Sequence, residues 1–531
     1  MTTTWTIAID WDRNDDFSDT DDEVTNFTLN AQWFLGMRQR FQDDADDSVL
    51  ELTLHNGDRR FSPENAFGPL FGKIAPLRPV RVQSNDGTTT RTHWLGWIES
   101  IESQVSPTNT PTVKITAAGP MQFLKAAETQ IELQENQRTD AIIERLIREV
   151  IAPPALNRAW VLGTSGYGEL GVTTYVPDTA LDVVADVGTV TLAIAADNWV
   201  TRSDNRTQAT FNVYRAIADV VAAERGRFVF DRDGRAVFWN RLHFQDDVAV
   251  AGQFEDGLVD VVYDYAALPD FRNEVTVVAH PRMVSGSATD VLWELSEPVT
   301  LPAGKTLTLT VRFQDAENGS LRIGAKEVFV DEVVFDTTTG GIGDESGGEV
   351  AAVNLEGRAN SALLTLINHD PRPATLIHCV VRGRKITDYG QMESTARDAE
   401  SITFYGRRSL KINIPSIDKQ YFAQYVADYE VKRRGRPQGM IEQVHLLSHS
   451  RDGGGYHGHQ LARTLGDVIT VFEQQTGHEN RRYAIIGEKH HLTHEQLETT
   501  WYLEPIQGPP FPWKLGVAGR SELDSTTIPA F

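Results

Sequence analysis

The sequence predicts a β-rich α+β fold, mainly β with some α, and two observations lead to this prediction. Segments in which apolar and polar residues alternate recur along the chain, for example at residues 49–54 and 498–505, and this period of two is typical of strands in antiparallel sheets. Apolar residues at helical spacing stand out in only three segments, at residues 139–151, 210–224 and 418–433. With 531 residues, the chain has room for about three to four domains of roughly 150 residues each.

The first 120 residues predict a small barrel or sandwich, because strand-like segments follow one another with turn residues between them. These segments lie at residues 3–9, 49–54, 79–83, 94–102 and 112–118. Residues 121–265 predict a connecting α+β domain with the first two helices and a hairpin at residues 227–241, whose turn contains an Asp-Gly pair.

The C-terminal half predicts two further units and a tail. Residues 283–385 contain strand patterns and no helix pattern, which indicates an inserted β-sandwich. A second strand-rich domain is expected from residues 266–282 together with 386–510, and residues 511–531 are expected to be an extended tail. This second strand-rich block is a candidate copy of the first, a relation that the sequence alone does not establish.

The charge of the chain restricts its partners. Its 50 Lys and Arg residues and 74 Asp and Glu residues give a formal net charge of −24. Such a chain repels phosphate groups, so we expect it to bind neither nucleic acid nor an anionic membrane. The single cysteine, Cys379, excludes an internal disulfide. We find no signal-peptide pattern and no run of ~18 apolar residues, and therefore expect synthesis in a cytoplasm and no membrane insertion.

The densest carboxylate cluster, at residues 10–24, has part of a calcium-loop pattern. Asp10, Asp12, Asn14 and Asp16 alternate as calcium ligands do. The sixth position of the pattern requires glycine but holds Asp15, and the twelfth holds Asp21 instead of glutamate. A solvated acidic loop is therefore the favoured interpretation, and calcium binding is the alternative.

Histidines near the C-terminus are the other candidate metal ligands. A His-x-His pair on a strand can hold a metal, but such pairs more often lie at exposed strand ends, which is the interpretation favoured here. The glycine-rich segment at residues 163–171 lacks a preceding strand and is expected to be a surface loop. We therefore predict no catalytic residue, no cofactor and no metal site. The histidines considered are His457, His459, His490, His491 and His494.

The least generic segment is the proline-rich stretch at residues 60–82. Four prolines stiffen it and limit its strand content, and several apolar side chains give it anchors. Long ordered loops of this kind pack either on their own barrel or on a neighbouring subunit. The sequence does not favour one of these two packing partners over the other. The candidate interface residues are Phe61, Pro63, Phe67, Leu70, Phe71 and Ile74.

Several segments resemble the baseplate hub of long-tailed bacteriophages, also called the tail-associated or tail-tip protein. The most specific is the stretch at residues 60–82 with its flanks LELTLHNGD (50–58) and WLGWIESI (94–101). The acidic start is similar to that of the family, except that the family has glycine where Asp15 stands. The other similar segments are residues 225–241, 360–386, 463–471 and 481–505.

The resemblance implies a structural virion protein at the tail tip, made in the cytoplasm of a bacterial host, and no enzyme. In that family the hub is a homotrimer whose subunits each have two tube-type β-barrel domains, and these six barrels match the six-fold tail tube. The first barrel would be residues 1–120 and the second 266–282 plus 386–510. The implied partners are the tail tube and distal tail proteins, the tape-measure protein and the tip fibre or spike proteins.

The resemblance also implies that DNA passes through the protein without being bound. An acidic lumen repels phosphate within a Debye length of about 8–10 Å. Solvation of an outer surface is the favoured interpretation of the acidic runs, and the lumen is the alternative. The candidate lumen charges are Asp10, Asp12, Asp15, Asp16, Asp43 and Asp44.

Two other functions remain open at this point. The hub of a tail-like injection machine would have the same parts. In a receptor-binding tail-tip protein, residues 283–385 would hold a host-surface glycan on an exposed aromatic platform. A wall hydrolase is not expected, because only about 26 residues follow Pro505, too few for an added catalytic domain. The large rings of the insert, mostly in alternating, core-like positions, are Trp293, Phe313, Phe329 and Phe335.

Overall fold

The computed structural model of the chain confirms the predicted β-rich α+β fold. Among the described residues, 51% are in strands and 15% are helical. Within the described part, none of the helices is long and apolar enough to cross a membrane. The described ranges are 3–150, 166–168, 172–174, 183–195, 211–506, 511–512 and 527–528, without residues 15, 43–44, 105–109, 130, 132, 149, 187, 189–190, 246–248, 256–259, 266–269, 317–318, 320–322, 337–344, 347–350, 359, 370, 450–455, 474 and 494–495.

Six strands build the N-terminal sheet, in the order β1-β4-β5-β6-β3-β2, and all neighbours are antiparallel. Alternation places one face in the core: Leu50, Leu52 and Leu54 of β3 are all fully buried. A short 3-10 helix, Thr25–Phe27, precedes β2. The strands are β1 (Thr4–Ile9), β2 (Thr28–Gly36), β3 (Val49–His55), β4 (Pro79–Asn85), β5 (Thr90–Gln104) and β6 (Thr112–Ala118).

The connecting segment contains both predicted helices and the predicted hairpin. The apolar stripe of α2 is buried, and Thr139 at its start donates a hydrogen bond to Glu224 at the end of α3 (2.9 Å). Asn212 caps α3 by accepting the N–H of Arg215 (3.1 Å). Most of the glycine-rich segment at 163–171 lies outside the described residues. The elements are α1 (Met121–Ala126), β7 (Glu128–Thr129), β8 (Gln134–Arg138), α2 (Thr139–Arg148), β9 (Gly166–Gly168), β10 (Val172–Thr174), β11 (Val183–Ala185), β12 (Thr191–Ala195), β13 (Phe211–Asn212), α3 (Val213–Glu224), β14 (Arg227–Phe230), β15 (Ala236–Trp239) and the 3-10 helix His243–Gln245.

The next strands lead into a separate β unit. Strands β22, β26 and β25 form one of its sheets, and the others pair directly or indirectly with the long β27. Side chains from both sheets, including the buried Cys379, share a hydrophobic core that is distinct from the main core. Three strands precede the unit: β16 (Val250–Phe254), β17 (Asp260–Tyr265) and β18 (Glu274–Ala279). The strands of the unit are β19 (Arg282–Val284), β20 (Asp290–Glu294), β21 (Val299–Leu301), β22 (Thr306–Arg312), β23 (Ala325–Asp336), β24 (Glu345–Ser346), β25 (Ala351–Gly357), β26 (Ser361–Asn368) and β27 (Ala374–Asp388).

Most of the remaining elements contribute side chains to the main core. Strand β18 pairs with β28 and β29, and helix α5 packs on this small sheet. Strands β16 and β17, from the segment that the sequence assigns to the connecting domain, pair instead with strands of the C-terminal sheet. The elements are β28 (Met392–Arg397), α4 (Ala399–Tyr405), β29 (Ser409–Ile414), α5 (Gln420–Arg434), β30 (Gly439–His449), α6 (His457–Ala462), β31 (Val468–Glu473), β32 (His478–Thr493), β33 (Gln496–Pro505), β34 (Phe511–Pro512) and β35 (Thr527–Ile528).

The C-terminal sheet repeats the strand order of the N-terminal sheet. Its order is β16-β31-β32-β33-β30-β17. When the six strands of each sheet are counted in chain order, both sheets have the order 1-4-5-6-3-2. The fifth strand is the longest in each, with 15 residues in β5 and 16 in β32, and each has a register shift against the sixth. One pair differs: strands one and four are antiparallel in the first sheet and parallel in the second.

Strands β2 and β32 join the two sheets into one sheet of twelve strands. They are antiparallel, with partners running from Asn30 and Thr493 to Gly36 and Gly487. We call this pairing the seam. At its end the backbones approach so closely that a Cβ atom on Gly487 would overlap the carbonyl oxygen of Met37. Gly36 also has a φ of +88°, which other residues rarely adopt.

Adding a methyl group at the end of the seam is expected to destabilise the protein. Gly487→Ala forces the two backbones apart, at a cost of about 1–3 kcal/mol. The matched control is Gly286→Ala, because a Cβ atom there meets no heavy atom within 4 Å. The measurement is the midpoint of urea unfolding followed by tryptophan fluorescence. Equal midpoints for the two variants would show that the backbones are not in close contact at the seam.

Candidate assembly interface

The segment between β3 and β4 is an ordered chain of turns. We call residues 56–78 the turn loop. At every third position from Arg59 to Phe71 a backbone N–H donates to the carbonyl three residues earlier, so consecutive turns order this part of the loop without strand partners. These hydrogen bonds are 2.9–3.2 Å long and run from Arg59 to Asn56, Ser62 to Arg59, Asn65 to Ser62, Gly68 to Asn65 and Phe71 to Gly68.

One buried side chain fixes the start of the turn loop. Asn56 is 5% exposed. Its Oδ1 accepts the N–H of Phe61 (2.9 Å), and its Nδ2 donates to Oγ of Ser62 (3.0 Å). At the other end, the N–H of Leu77 donates to the carbonyl of Ile98 in β5 (2.7 Å). Asn56 thus orders the start of the turn loop, and the hydrogen bond to β5 holds its end.

The apolar residues of the turn loop divide into two groups. Phe61 and Leu70 are buried in the core of their own sheet, and Ile74 packs against that core. Phe67 is fully exposed, and Phe71 is 56% exposed. Of the six candidate interface residues, three thus serve the fold of the subunit. The exposed ones, Phe67, Phe71 and Pro63, are available to a partner.

The acidic segment lies against the turn loop. We call residues 10–22 the acidic loop. Its base is closed by the N–H of Ile9, which donates to the carbonyl of Asp22 (2.9 Å). Arg13 donates to the carbonyl of Pro76 (3.2 Å), and Lys73 lies 3.4 Å from a carboxylate oxygen of Asp12. An exposed ion pair contributes only about 0–1 kcal/mol, so these contacts orient the two loops more than they stabilise the fold.

The candidate lumen charges differ in exposure. Asp10 is fully buried, and its Oδ1 accepts the N–H groups of Arg13 (2.6 Å) and Asn14 (3.2 Å). It is therefore no surface charge. Asp12 and Asp16 are exposed. Asp15, Asp43 and Asp44 lie outside the described residues.

The residues with calcium-loop spacing do not converge as one set of ligands in the structure. Asn14 accepts the N–H of Asp16 (2.8 Å), and Asp16 accepts the N–H of Ser18 (2.9 Å). These bonds form local turns within the acidic loop. The group of carboxylates that does converge among the described residues contains Asp10 and Asp12 but not Asp16.

A buried ion pair connects the hairpin to the seam. Arg232, in the turn of the hairpin, binds both carboxylate oxygens of Glu488 on β32 (2.7 and 2.6 Å). It also donates to the carbonyl of Leu461 (2.9 Å). Burial by itself would raise the pKa of Glu488, but the positive charge and hydrogen bonds of Arg232 lower this pKa to about 2. The carboxylate is therefore charged wherever the protein is folded at neutral pH.

Histidines fill the space beside this ion pair. His490 stacks on Trp33 of β2, with ring centroids 5.0 Å apart, and its Nδ1 lies 3.0 Å from the hydroxyl of Thr499. His93 lies 2.7 Å from the hydroxyl of Ser84. Both histidines are fully buried. Burial lowers the pKa of each, and the charge of Arg232 contributes.

The predicted position of the C-terminal histidines at exposed strand ends is wrong for three of them. His490 is buried in β32, and His457 is buried in helix α6, between the hydroxyls of Thr3 and Ser448 (2.8 Å each). His459 also lies on α6 and not on a strand, whereas His494 lies outside the described residues. The sequence missed these positions because a core histidine with a hydroxyl partner has no pattern of its own.

A second buried ionic cluster connects three parts of the chain. Glu504 of β33 lies 2.5 Å from both Arg227 of β14 and Arg433 of α5. Glu430 of α5 lies 3.0 Å from Arg225, which follows α3. All these side chains are at least nine-tenths buried. Loss of one member would leave a buried charge unpaired, at about 3–5 kcal/mol.

The four large rings of the inserted unit do not form a shared exposed platform. Phe313 and Phe335 are fully buried in its core, and Trp293 packs against that core. Phe329 is the remaining large ring of the four and is 42% exposed. Sugar recognition by stacking requires accessible ring faces, and of these four side chains only Phe329 is exposed.

Solved structures similar to this chain include phage tail proteins, the class that the sequence resembles. A tail protein from Neisseria meningitidis has 8% identity over 94% of this chain and 96% of its own, with a TM-score of 0.46. The 43 kDa tail protein of a Shewanella oneidensis prophage has 8% identity over 94% and 98%, with a TM-score of 0.44. An Escherichia coli component of the type VI secretion system, described as structurally similar to T4 phage tail proteins, has 9% identity over 91% and 78%, with a TM-score of 0.34. No protein-family model and no curated protein matches the sequence.

The buried histidines are expected to make the fold sensitive to acid. Their folded pKa values lie below the ordinary value of about 6.5, so below that pH the unfolded chain takes up protons that the folded chain does not. The contribution of these histidines to stability is then complete above about pH 7 and is lost as the pH falls. Each such histidine contributes up to about 1.4 kcal/mol per pH unit.

The measurement is the midpoint of urea unfolding between about pH 8 and pH 5. His93→Asn should make the dependence on pH shallower, whereas His369→Asn, at an exposed position, should leave it unchanged. A midpoint that responds identically to pH in the wild type and in His93→Asn would contradict the assignment.

Proposed function

We propose that this chain is a structural, non-enzymatic subunit of a phage-type tail. Three copies form a hub at the distal end of the tail tube. The hub joins the six-fold tube and the distal tail proteins to three-fold tip, fibre or spike proteins, with the tape-measure protein inside. DNA passes through its lumen and is not bound.

The observation that carries this proposal is the repeated strand order of the two sheets. A subunit with two sheets of the same 1-4-5-6-3-2 order presents two similar surfaces. Three such subunits present six, which is the number that a six-fold tube requires. The seam supports the same reading, because it holds the two sheets of a subunit in one continuous hydrogen-bonded structure.

The turn loop supplies an anchor for contacts with neighbours. Its backbone is ordered by its own turns, so little conformational entropy is lost when it docks. Burial of a phenylalanine side chain contributes about 1.5–3 kcal/mol. Phe67 and Phe71 are exposed in the subunit and suit this role, whereas Phe61 and Leu70 are already buried.

The net charge supports passage of DNA without binding. With a formal charge of −24, the subunit repels the phosphate backbone. Asp12 and Asp16 are exposed and remain candidates for the lumen surface. The burial of Asp10 removes it from this group.

The proposal is tested by electron microscopy of tails in which this subunit is located. We expect a three-fold ring at the end of the tube, with both sheets of each subunit arranged around the axis. A capsid attached to the tube distinguishes a virion from a tail-like injection machine. A peripheral position, away from the tube axis, would exclude the hub function and favour receptor binding.

Replacing an exposed phenylalanine of the turn loop by aspartate is expected to block assembly without unfolding the subunit. Phe67→Asp or Phe71→Asp should weaken incorporation into tails by about 10–100-fold, because each removes about 1.5–3 kcal/mol of burial. The midpoint of unfolding of the free subunit should not change. The measurement is the amount of subunit that sediments with tails in a complementation assay.

Two further variants control this experiment. Phe329→Asp introduces the same change at a partly exposed ring of the inserted unit and should leave incorporation normal. Phe61→Asp places the charge in the core and should prevent folding of the free subunit. Normal tails from a Phe67→Asp, Phe71→Asp double variant would rule out the turn loop as an assembly contact.

A further inference from the structure

Three carboxylates converge where the acidic loop begins and ends. One oxygen atom of each of Asp10, Asp12 and Asp22 lies within 4.8 Å of the other two. Asp10 and Asp12 follow β1 directly, and Asp22 returns to the same place because Ile9 donates its N–H to the carbonyl of Asp22 (2.9 Å). Closure of the loop therefore brings together residues that lie ten or more positions apart.

Asp22 has an unused ligand atom in this group. The side chain is 2% exposed, and its Oδ2 is buried without a hydrogen-bond partner in the described structure. Its Oδ1 accepts the N–H of Trp11 at 3.4 Å, a long hydrogen bond. A buried oxygen that lacks a partner costs about 1–3 kcal/mol. The negative charges of Asp12 and Asp10 add to this cost.

We propose that Asp10, Asp12 and Asp22 bind a calcium ion. Carboxylate oxygens are the ligands that Ca²⁺ prefers, and Ca²⁺ accepts six to eight of them in irregular geometry, whereas Mg²⁺ requires a near-ideal octahedron. Two backbone N–H groups hold the Asp10 carboxylate in place. The exposed Asp12 leaves room for water molecules to complete the shell. The ion supplies the buried Asp22 with the partner it lacks.

The positive side chains nearby set a limit on affinity. Lys73 pairs with Asp12, and Arg13 and Arg78 lie close to the same carboxylates. We therefore expect a dissociation constant nearer to the 10⁻⁴–10⁻³ M range of extracellular calcium modules than to that of tight cytosolic sites. Burial, together with the neighbouring carboxylates, raises the pKa of Asp22 to about 6.

The ion would join the two ends of the acidic loop. Because Arg13 and Lys73 connect the acidic loop to the turn loop, calcium would also limit the motion of the segment that carries Phe67 and Phe71. This inference goes beyond the proposed function and does not depend on it. It concerns the purified subunit, so its failure would leave the tail assembly experiments unaffected.

The test is terbium luminescence of the purified full chain. Tb³⁺ replaces Ca²⁺ at oxygen sites and emits when a nearby tryptophan is excited. Trp11 is adjacent in sequence to Asp10 and Asp12, and its backbone N–H donates to Asp22. We expect saturable emission that Ca²⁺ displaces, with Mg²⁺ needing at least about a tenfold higher concentration. Trp11→Phe should reduce the emission but preserve a rise in the thermal unfolding midpoint when calcium is added.

Matched variants locate the site. Asp22→Asn keeps the shape of the side chain and should weaken Tb³⁺ binding at least about tenfold. Glu23→Gln, a like change at the exposed neighbour, should leave binding unchanged. If Asp22→Asn does not fold, Asp12→Asn at an exposed ligand provides the same comparison. Equal Tb³⁺ binding by the aspartate variant and by Glu23→Gln would overturn the proposal. So would the absence of saturable emission together with an unfolding midpoint that does not change when calcium is added.

Discussion

The pairing of β2 with β32 is the constraint on which the rest of the structure depends. These strands lie more than 440 residues apart in the sequence and yet form one ladder from Asn30 and Thr493 to Gly36 and Gly487. Closing so long a loop costs entropy, which the contacts made on folding must offset. The position of the seam therefore fixes how the two repeated sheets lie in one continuous sheet.

Buried polar groups give the seam its specific register. The Arg232–Glu488 ion pair and the stacked rings of Trp33 and His490 connect the hairpin, β2 and β32 at one place. A shift by one residue would turn Glu488 to the other face of the sheet and separate it from Arg232. Apolar packing alone tolerates such shifts better than a bidentate ion pair does. The buried charges thus specify one arrangement more than they add stability.

The sequence predicts those elements that the spacing of apolar residues within a single segment reveals. The helices α2, α3 and α5 and most strands of the two sheets follow from spacing alone, as does the hairpin that carries Arg232. Strand β2 was missed because its second half, residues 33–36, is buried on every side and has no alternation. The sequence also did not distinguish the buried from the exposed phenylalanines of the turn loop. Phe61 and Phe67 differ in their tertiary neighbours and not in their local sequence pattern. Asp22 was passed over for the same reason: loop closure, and not spacing, brings it to Asp10.

The one difference between the two sheets has a consequence for any ring of three copies. Strands one and four run antiparallel in the first sheet and parallel in the second, so the two are not interchangeable at that edge. In the proposed hub, six sheets around an axis would then alternate between two kinds of edge. A six-fold partner made of identical subunits would meet two bonding environments in turn, and its contacting segments would adopt two conformations. The direction of a single strand pair would thus make the contacts between the hub and its six-fold partner quasi-equivalent.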